Sequence, residues 1–426
     1  MKRLSRGKKG QLLNLVLIAV AMIFTIALVL YPEQGFAAGI SGLKVFGKVV
    51  FPSLLPFFVL AEILMGLGVV RGLGVLLEPL MRPLFSVPGV GAFALSMGLA
   101  AGYPMDAVIA SRFRETGQCT RVEGERLLAF TNTADPLFML SAVAVGMFKS
   151  PAVGGLLAVS HYISAFLVGV CFKFWGRKDK DHLAELQARR TERAKGSIFV
   201  RAYREMMLAR EEDGRPFGKL LGNAVTESMQ TLIMICGFIV FFAVFIEILS
   251  LSGMMSVIGA PIGLIYHMFH INGGLVNPTI AGLLELDIGS AQTAVVNAPM
   301  LQKLALVSGI IGWSGLAVHA QVASVLTNTD IRMLPYFLAR FLQAIFAAAA
   351  TVVLYLMGMG RVATEAMAHV PGLTGVGQAL DGHPFWQVSS SAIALWLCIV
   401  AGLLVISMAL SILRRVRVIA FHTRLK

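Results

Sequence analysis

Phe130-Thr131-Asn132-Thr133-Ala134-Asp135-Pro136-Leu137-Phe138 sits in the middle of an apolar stretch that runs from Arg126 to Phe148. Pro136 has no amide hydrogen and its ring collides with the preceding turn, so a helix through this point must break or kink. Asp135 beside it carries a carboxylate that costs at least ~2.5–3.5 kcal/mol at the centre of a bilayer. Irregular polar backbone is tolerated at that depth only where it meets protein partners or lines a wet cavity. Read instead as a turn outside the lipid, the cluster would leave a remainder too short to cross. The stretch is therefore expected to be a broken transmembrane helix that carries a binding site.

The rest of the chain agrees with a membrane setting. Of 426 residues, 57% are hydrophobic and 14% charged, with a mean hydropathy of +0.78. Soluble domains average about 45–50% apolar and about 25% charged. Several apolar runs approach the ~20 residues that cross a hydrocarbon core. They do not alternate as barrel strands do, so helices are the expected spanning structure. The net charge of +13 would suggest nucleic acid in a soluble protein. Here the basic residues cluster between apolar runs, as the positive-inside rule requires, and no nucleic-acid partner is expected. Cys119, Cys171, Cys236 and Cys398 form no CxxC pair, which points to packing residues, not a zinc site or disulfides. The basic residues 2–9 and the apolar residues 11–31 read as a retained first span. That run exceeds the usual ~7–15-residue core of a signal peptide.

The expected architecture is an all-α polytopic membrane protein with about eight transmembrane helices and two re-entrant hairpins in two inverted repeats. The spans fall near residues 12–31, 43–70, 126–148, 152–174, 219–249, 303–326, 334–357 and 388–413, with interfacial pieces at 71–88 and 254–271. The hairpins are 89–110, broken at Gly102-Tyr103-Pro104, and 272–296. In domain terms, residues 1–42 are an N-terminal helix, 43–175 a first repeat and 176–216 a cytoplasmic charged loop. Residues 217–358 are a second repeat, 359–387 an external loop and 388–426 a last helix with a basic tail. Eleven Lys/Arg and eight Asp/Glu crowd residues 176–216, whereas Pro32–Ser41 and Gly358–Gln387 hold only Arg361 as a basic residue. Eight crossings put both termini and the charged loop in the cytoplasm and the two poorly basic stretches outside. The two halves then run in the same element order with opposite orientation, the best sequence pointer to a secondary transporter's binding site.

Four places carry polar groups that need a reason. The first hairpin has Gly102, Tyr103 and Pro104; the first broken span has Thr131, Asn132, Asp135 and Pro136. The second hairpin has Glu285 and Asp287, a pair of acids suited to a cation or proton, unless its tip simply faces water. The sixth span reads Ser308-Gly309-Ile310-Ile311-Gly312-Trp313-Ser314-Gly315, then His319 and Gln321. Its glycines suit either an unwound backbone or close helix packing, while Ser314, Gly315 and Gln321 are taken as binding residues. His161 is read as an interhelical hydrogen-bonding residue. No HExxH, GxxxxGK[ST] or GxSxG pattern occurs, so no metal, cofactor or catalytic residue is expected.

Phe51-Pro52-Ser53-Leu54-Leu55-Pro56-Phe57-Phe58, Gly102-Tyr103-Pro104, Thr131 to Phe138 and Gly282-Leu283-Leu284-Glu285-Leu286, in that order, resemble the YlbJ-type (SpoVV) sporulation integral membrane proteins. That family carries the nucleoside-recognition Gate domain and is related to concentrative nucleoside transporters. The resemblance covers roughly residues 40–360 and implies a role in endospore formation. It suggests a carrier moving dipicolinic acid out of the mother cell across the outer forespore membrane. It also implies that the polar hairpins and broken helices form the substrate site, and related carriers suggest a homo-oligomer and a coupling ion, H+ or Na+. The sequence departs from the family pattern at Met105-Asp106, where small residues are expected; Arg112 is the expected partner of Asp106. Two other functions compete: a cation-coupled nucleoside carrier using Glu285 and Asp287, and a non-transporting scaffold of the forespore membrane.

Overall fold

The computed structural model describes residues 8–47, 51–136, 138–190, 197–358, 398 and 400–409. The expected external loop 359–387, the basic tail from 414 and most of the eighth span lie outside the described residues. All regular structure among the described residues is helical.

The N-terminal run forms α1 (Lys8–Leu30), then turns at Tyr31 into α2 (Pro32–Val45), the two axes meeting at 102°. Proline at the first position of α2 suits that restart. Residues 32–41 were expected as an external connection. They are instead helical and pack along α11 (Phe217–Leu251). The cause is a row of small residues: a side chain on Gly42 would lie 3.2 Å from the Val240 backbone, so the two helices approach closely there.

Next come α3 (Phe51–Gly66) and α4 (Val69–Phe85), bent by 87° around Gly68 in a left-handed conformation. α5 (Gly91–Ala101) and α6 (Met105–Glu115) fold back on each other around Gly102. α7 (Arg121–Thr131) stops at the polar cluster, and the chain resumes as a π-helix, Phe138–Met147. α8 (Gly154–Phe172) follows. The charged stretch is not an open loop: it contains α9 (Lys180–Arg190) and α10 (Ile198–Asp213). α10 packs on α4, where a side chain on Gly68 would meet the Met206 carbonyl at 2.2 Å, and Arg71 of α4 pairs with Glu205 and Glu212. The segment expected at the interface is thus covered on one side by protein.

After α11 the order recurs: α12 (Met254–Met268), the pair α13 (Val276–Leu284) and α14 (Leu286–Val295), then α15 (Met300–Trp313), α16 (Gly315–Val325) and α17 (Met333–Leu356). Each half therefore runs as a long helix, an angled helix, a folded-back pair, a broken helix and a final helix. Four of the described helical segments are long and apolar enough to cross a bilayer: α8, α11, α15 taken with α16, and α17; the two bent pairs raise the number to six. The halves interlock, because α17 packs against α15 of its own half and against α7 and α8 of the other.

At the charged end Arg114, beyond the last buried turn of α6, donates to Asp330 at 2.7 and 2.8 Å and to Glu185 of α9 at 3.0 and 3.3 Å. These bonds tie the first hairpin, the charged helices and the α16–α17 connection together. Arg114 holds the Asp330 carboxyl below the usual carboxylate range.

The closest backbone approach in the second folded-back pair gives a stability test. A methyl on Gly289 would lie 2.2 Å from the Gly282 Cα, whereas one on Gly222 of α11 would meet nothing within 4 Å. Gly289→Ala should lower the melting temperature of the detergent-solubilised protein, by the ~1–3 kcal/mol typical of overpacking. Gly222→Ala should be neutral or gain up to ~1 kcal/mol from helix propensity. Equal melting temperatures for the two variants would contradict the close contact.

Candidate functional site

A broken helix frees backbone groups that lipid will not hydrogen-bond, so each needs a protein partner. Around the first break those partners come from α8 and α17. Arg340 donates to the carbonyls of Ala129, at 2.5 Å, and of Asn132. His161 accepts the Ala134 amide at 3.0 Å, and the Tyr162 hydroxyl donates to the Ala134 carbonyl at 3.2 Å. Asp135 accepts the Phe138 amide at 2.8 Å and so opens the π-helix as a cap does.

The side chain of Asn132 then links three elements. Its amide donates to Asp106 of α6 at 2.9 Å, and its carbonyl oxygen accepts from the Tyr336 hydroxyl of α17 at 2.9 Å. Asp106 stands in the first turn of α6, where the helix's partial positive charge favours an anion, and it accepts a further bond from the Thr131 hydroxyl at 3.4 Å. At the second break the Ser314 hydroxyl donates to the Trp313 carbonyl at 2.6 Å. Asp106, Thr131, Asn132, Ser314 and Arg340 are all fully buried.

The second break is built with αL backbone at Ser314 (φ 67°) and Gly315 (φ 75°). Tyr103, in the turn of the first hairpin, donates to the Ile311 carbonyl at 2.6 Å. Trp313 donates to the Leu283 carbonyl at 3.0 Å, and His319 bonds the Gly315 carbonyl at 2.7 Å while its ring lies 4.3 Å from that of Trp313. Each folded-back pair presses its turn on the break of its own half. A side chain on Gly102 would lie 2.9 Å from Asp135 Oδ2, and one on Gly315 would lie 3.1 Å from the Glu285 Cα. Glu285 caps α14 by accepting the Ile288 amide at 2.8 Å. Asp287 and Asp135 are close enough to interact electrostatically across the halves, and α14 packs on the π-helix.

Two turns, at Gly102 and at Glu285, are each seated on a helix break, with the polar centre between them. The Gate family, described as "Nucleoside recognition", matches residues 47–169. The "Sporulation integral membrane protein YlbJ" of Bacillus subtilis (strain 168) is 43% identical over 344 residues, 80% of this chain and 83% of that protein. This chain belongs to the YlbJ family of sporulation integral membrane proteins. No solved structure gives a significant match.

The structure brings together most of the residues singled out in the sequence of this family member. Gly102, Tyr103 and Pro104 turn against Asp135; Thr131, Asn132 and Pro136 form the first break; Ser314 and Gly315 form the second, against the turn holding Glu285 and Asp287. Gln321 is buried two turns along α16 and takes no part in this hydrogen-bond network among the described residues. Arg112 does not pair with Asp106. It meets Glu227 on α11, Glu62 on α3 at 3.5 Å and Glu115 at 3.4 Å. The reason is direction: Arg112 lies nearly two turns along α6, at its charged end, while Asp106 faces the break.

Tyr336, Arg340 and Gln343 complete the site; Arg340, with Lys303, stands out in the sequence as a basic residue near the second repeat, whereas Tyr336 and Gln343 do not. Their spacing of four and three puts all three on one face of α17. His161 does serve as an interhelical hydrogen-bonding residue, and Gln343 approaches its ring at 3.5 Å.

Removing single members of this network should destabilise the fold in proportion to what is left unpaired. Tyr336→Phe deprives the buried Asn132 carbonyl oxygen of its donor and should cost ~1–3 kcal/mol. Arg340→Met strips two break carbonyls at once and should cost ~3–5 kcal/mol. Both are read from thermal unfolding in detergent; a neutral Tyr336→Phe would remove the hydroxyl from the network.

Proposed function

We propose that the chain is a carrier and not an enzyme, and that it moves a small organic anion. Dipicolinate, to which the family resemblance points, is the first candidate, exported from the mother cell across the outer forespore membrane. In this reading residues 43–175 and 217–358 are inverted repeats within eight crossings, with both termini and the charged helices in the cytoplasm, as the distribution of basic residues favours.

The observation that carries the reading is Arg340. It is fully buried where the two breaks meet, and its Nε has no hydrogen-bond partner among the described residues. The Nδ1 of His161 and the Oε1 of Gln343 on the same side are likewise unpaired. A guanidinium fork matches a carboxylate better than it matches two separate carbonyls. An entering carboxylate would displace the carbonyls of Ala129 and Asn132 from that fork and release the first break. Substrate binding is then what loosens the buried centre.

A nucleoside carrier coupled to a cation through Glu285 and Asp287 is the second reading. It is favoured by the Gate description and by the approach of Asp135 to Asp287. Uptake into proteoliposomes separates the two. Dipicolinate should enter, and Arg340→Gln should abolish the uptake while the protein still inserts. Nucleoside uptake lost in Glu285→Gln would favour the second reading. If no dipicolinate moves under any imposed ion gradient, the substrate is wrong; if Asn132→Ala and Glu285→Ala leave transport intact, the site is wrong; and if nothing at all is carried, a scaffold role gains.

A further inference from the structure

The charged end of the molecule holds a cleft of about 590 Å3 between α4, the α6–α7 turn, α9 and α10. It lies apart from the polar centre: its wall carries Arg71, Arg82, Arg126, Arg177, Arg201 and His182, against the carboxylates of Glu78 and Glu205. Two of the arginines are already balanced. Arg71 pairs with Glu205 at 3.7 Å and with Glu212, and Arg82 with Glu78 at 3.3 Å and with Glu123.

The other three are not. Arg126 is 3% exposed, and its three donors go to neutral backbone carbonyls, that of Ser86 at 2.8 Å and that of Trp175 at 3.0 and 2.6 Å. The acids of its own helix attract it from nearby but are hydrogen-bonded by other groups, Glu123 by Arg82 and Glu125 by Arg332 and Trp175. Arg177 lies 4.6 Å from the centre of the Phe174 ring and close enough to Arg126 for the two cations to repel. Arg201 of α10 has no carboxylate within ion-pairing distance among the described residues, and its side chain lines the same cleft. A nearly buried guanidinium whose hydrogen bonds all go to neutral carbonyls is costly, and the Arg177 and Arg82 cations near it add to the cost. An anion in the cleft would offset that cost.

We propose that this cleft binds a phosphate-bearing anion of at least two charges, held by Arg126, Arg177 and Arg201. The three arginines come from different elements, α7, the segment after α8 and α10, and line the same cleft. That suits the tetrahedral oxygens of a phosphate better than a flat carboxylate. The volume lies within the range of small-molecule sites. It accommodates a soluble polyphosphate such as a nucleotide or the headgroup of an anionic lipid. Because the ligand would bridge α7, the core helix that ends in the first break, to α10, its binding would fasten the charged helices to the membrane core.

The full-length purified protein tests this in two arms. In the first, protein in neutral phosphatidylcholine nanodiscs is titrated with pyrophosphate and with ATP, followed by equilibrium binding and melting temperature. In the second, melting temperature in those nanodiscs is compared with that in nanodiscs containing phosphatidylglycerol or cardiolipin. Saturable binding in the first arm, weakening with salt, assigns a soluble ligand; stabilisation confined to the second assigns a headgroup. Either response should fall at least about tenfold in Arg177→Gln/Arg201→Gln, whose side chains are not part of the buried core. Single Arg201→Gln, with a smaller loss, serves if the double variant does not fold. No response in either arm, or a response that the variants leave unchanged, overturns the proposal.

Discussion

The hydrogen bonds that Arg340 gives to the carbonyls of Ala129 and Asn132 are the constraint on which the centre of this molecule rests. Within lipid, an interrupted helix is possible only if something else accepts or donates for the exposed backbone. α17 supplies that from one side, and His161 and Tyr162 of α8 supply it from the other. Once the first break is held, Asn132 is free to face both Asp106 and Tyr336. Tyr103, in the turn seated on the first break, donates to the Ile311 carbonyl and so ties the second broken helix to the first.

Charge organises the opposite end by a different rule. There, water is available and ion pairs are numerous, yet several tie together segments far apart in the chain: Arg114 to Glu185 and Asp330, Arg332 to Glu125, Arg121 to Asp179. Exposed pairs of this kind each contribute little. Their number and the burial of Glu123 and Glu125 make α9 and α10 part of the folded body.

Much of this was legible in the sequence because lipid punishes misplaced polar groups, and the exceptions therefore stand out. Pro136 beside Asp135 marked the first break, and Ser314-Gly315 the second. Glycine at 102 marked a turn, and the folded-back pairs followed from it. What was not legible had no such contrast. Residues 32–41 are polar enough to read as a connection, but their small side chains let a helix nestle against α11. The charged stretch reads as a solvated face, and only the approach of Met206 to Gly68 reveals that α10 is seated on the core. Arg340 stands out in the sequence, with Lys303, only as a basic residue near the second repeat. Its importance comes from which atoms of another helix lie opposite, and a single chain read alone does not disclose that. Asp106 shows the same limit: Arg112 was near in sequence, but Asn132 is near in space.

The interlocking of the halves through α17 restricts how such a centre can be unsealed. A motion that pulled one half from the other as rigid blocks would tear α17 from α7 and α8 or from α15, stripping the first break of its donors on the way. Displacing the two hairpin turns, which touch the breaks mainly through Gly102 and through Gly315 against Glu285, disturbs far fewer bonds. The centre is therefore enclosed by a frame of α7, α8, α15 and α17, on which two short turns rest through close glycine contacts.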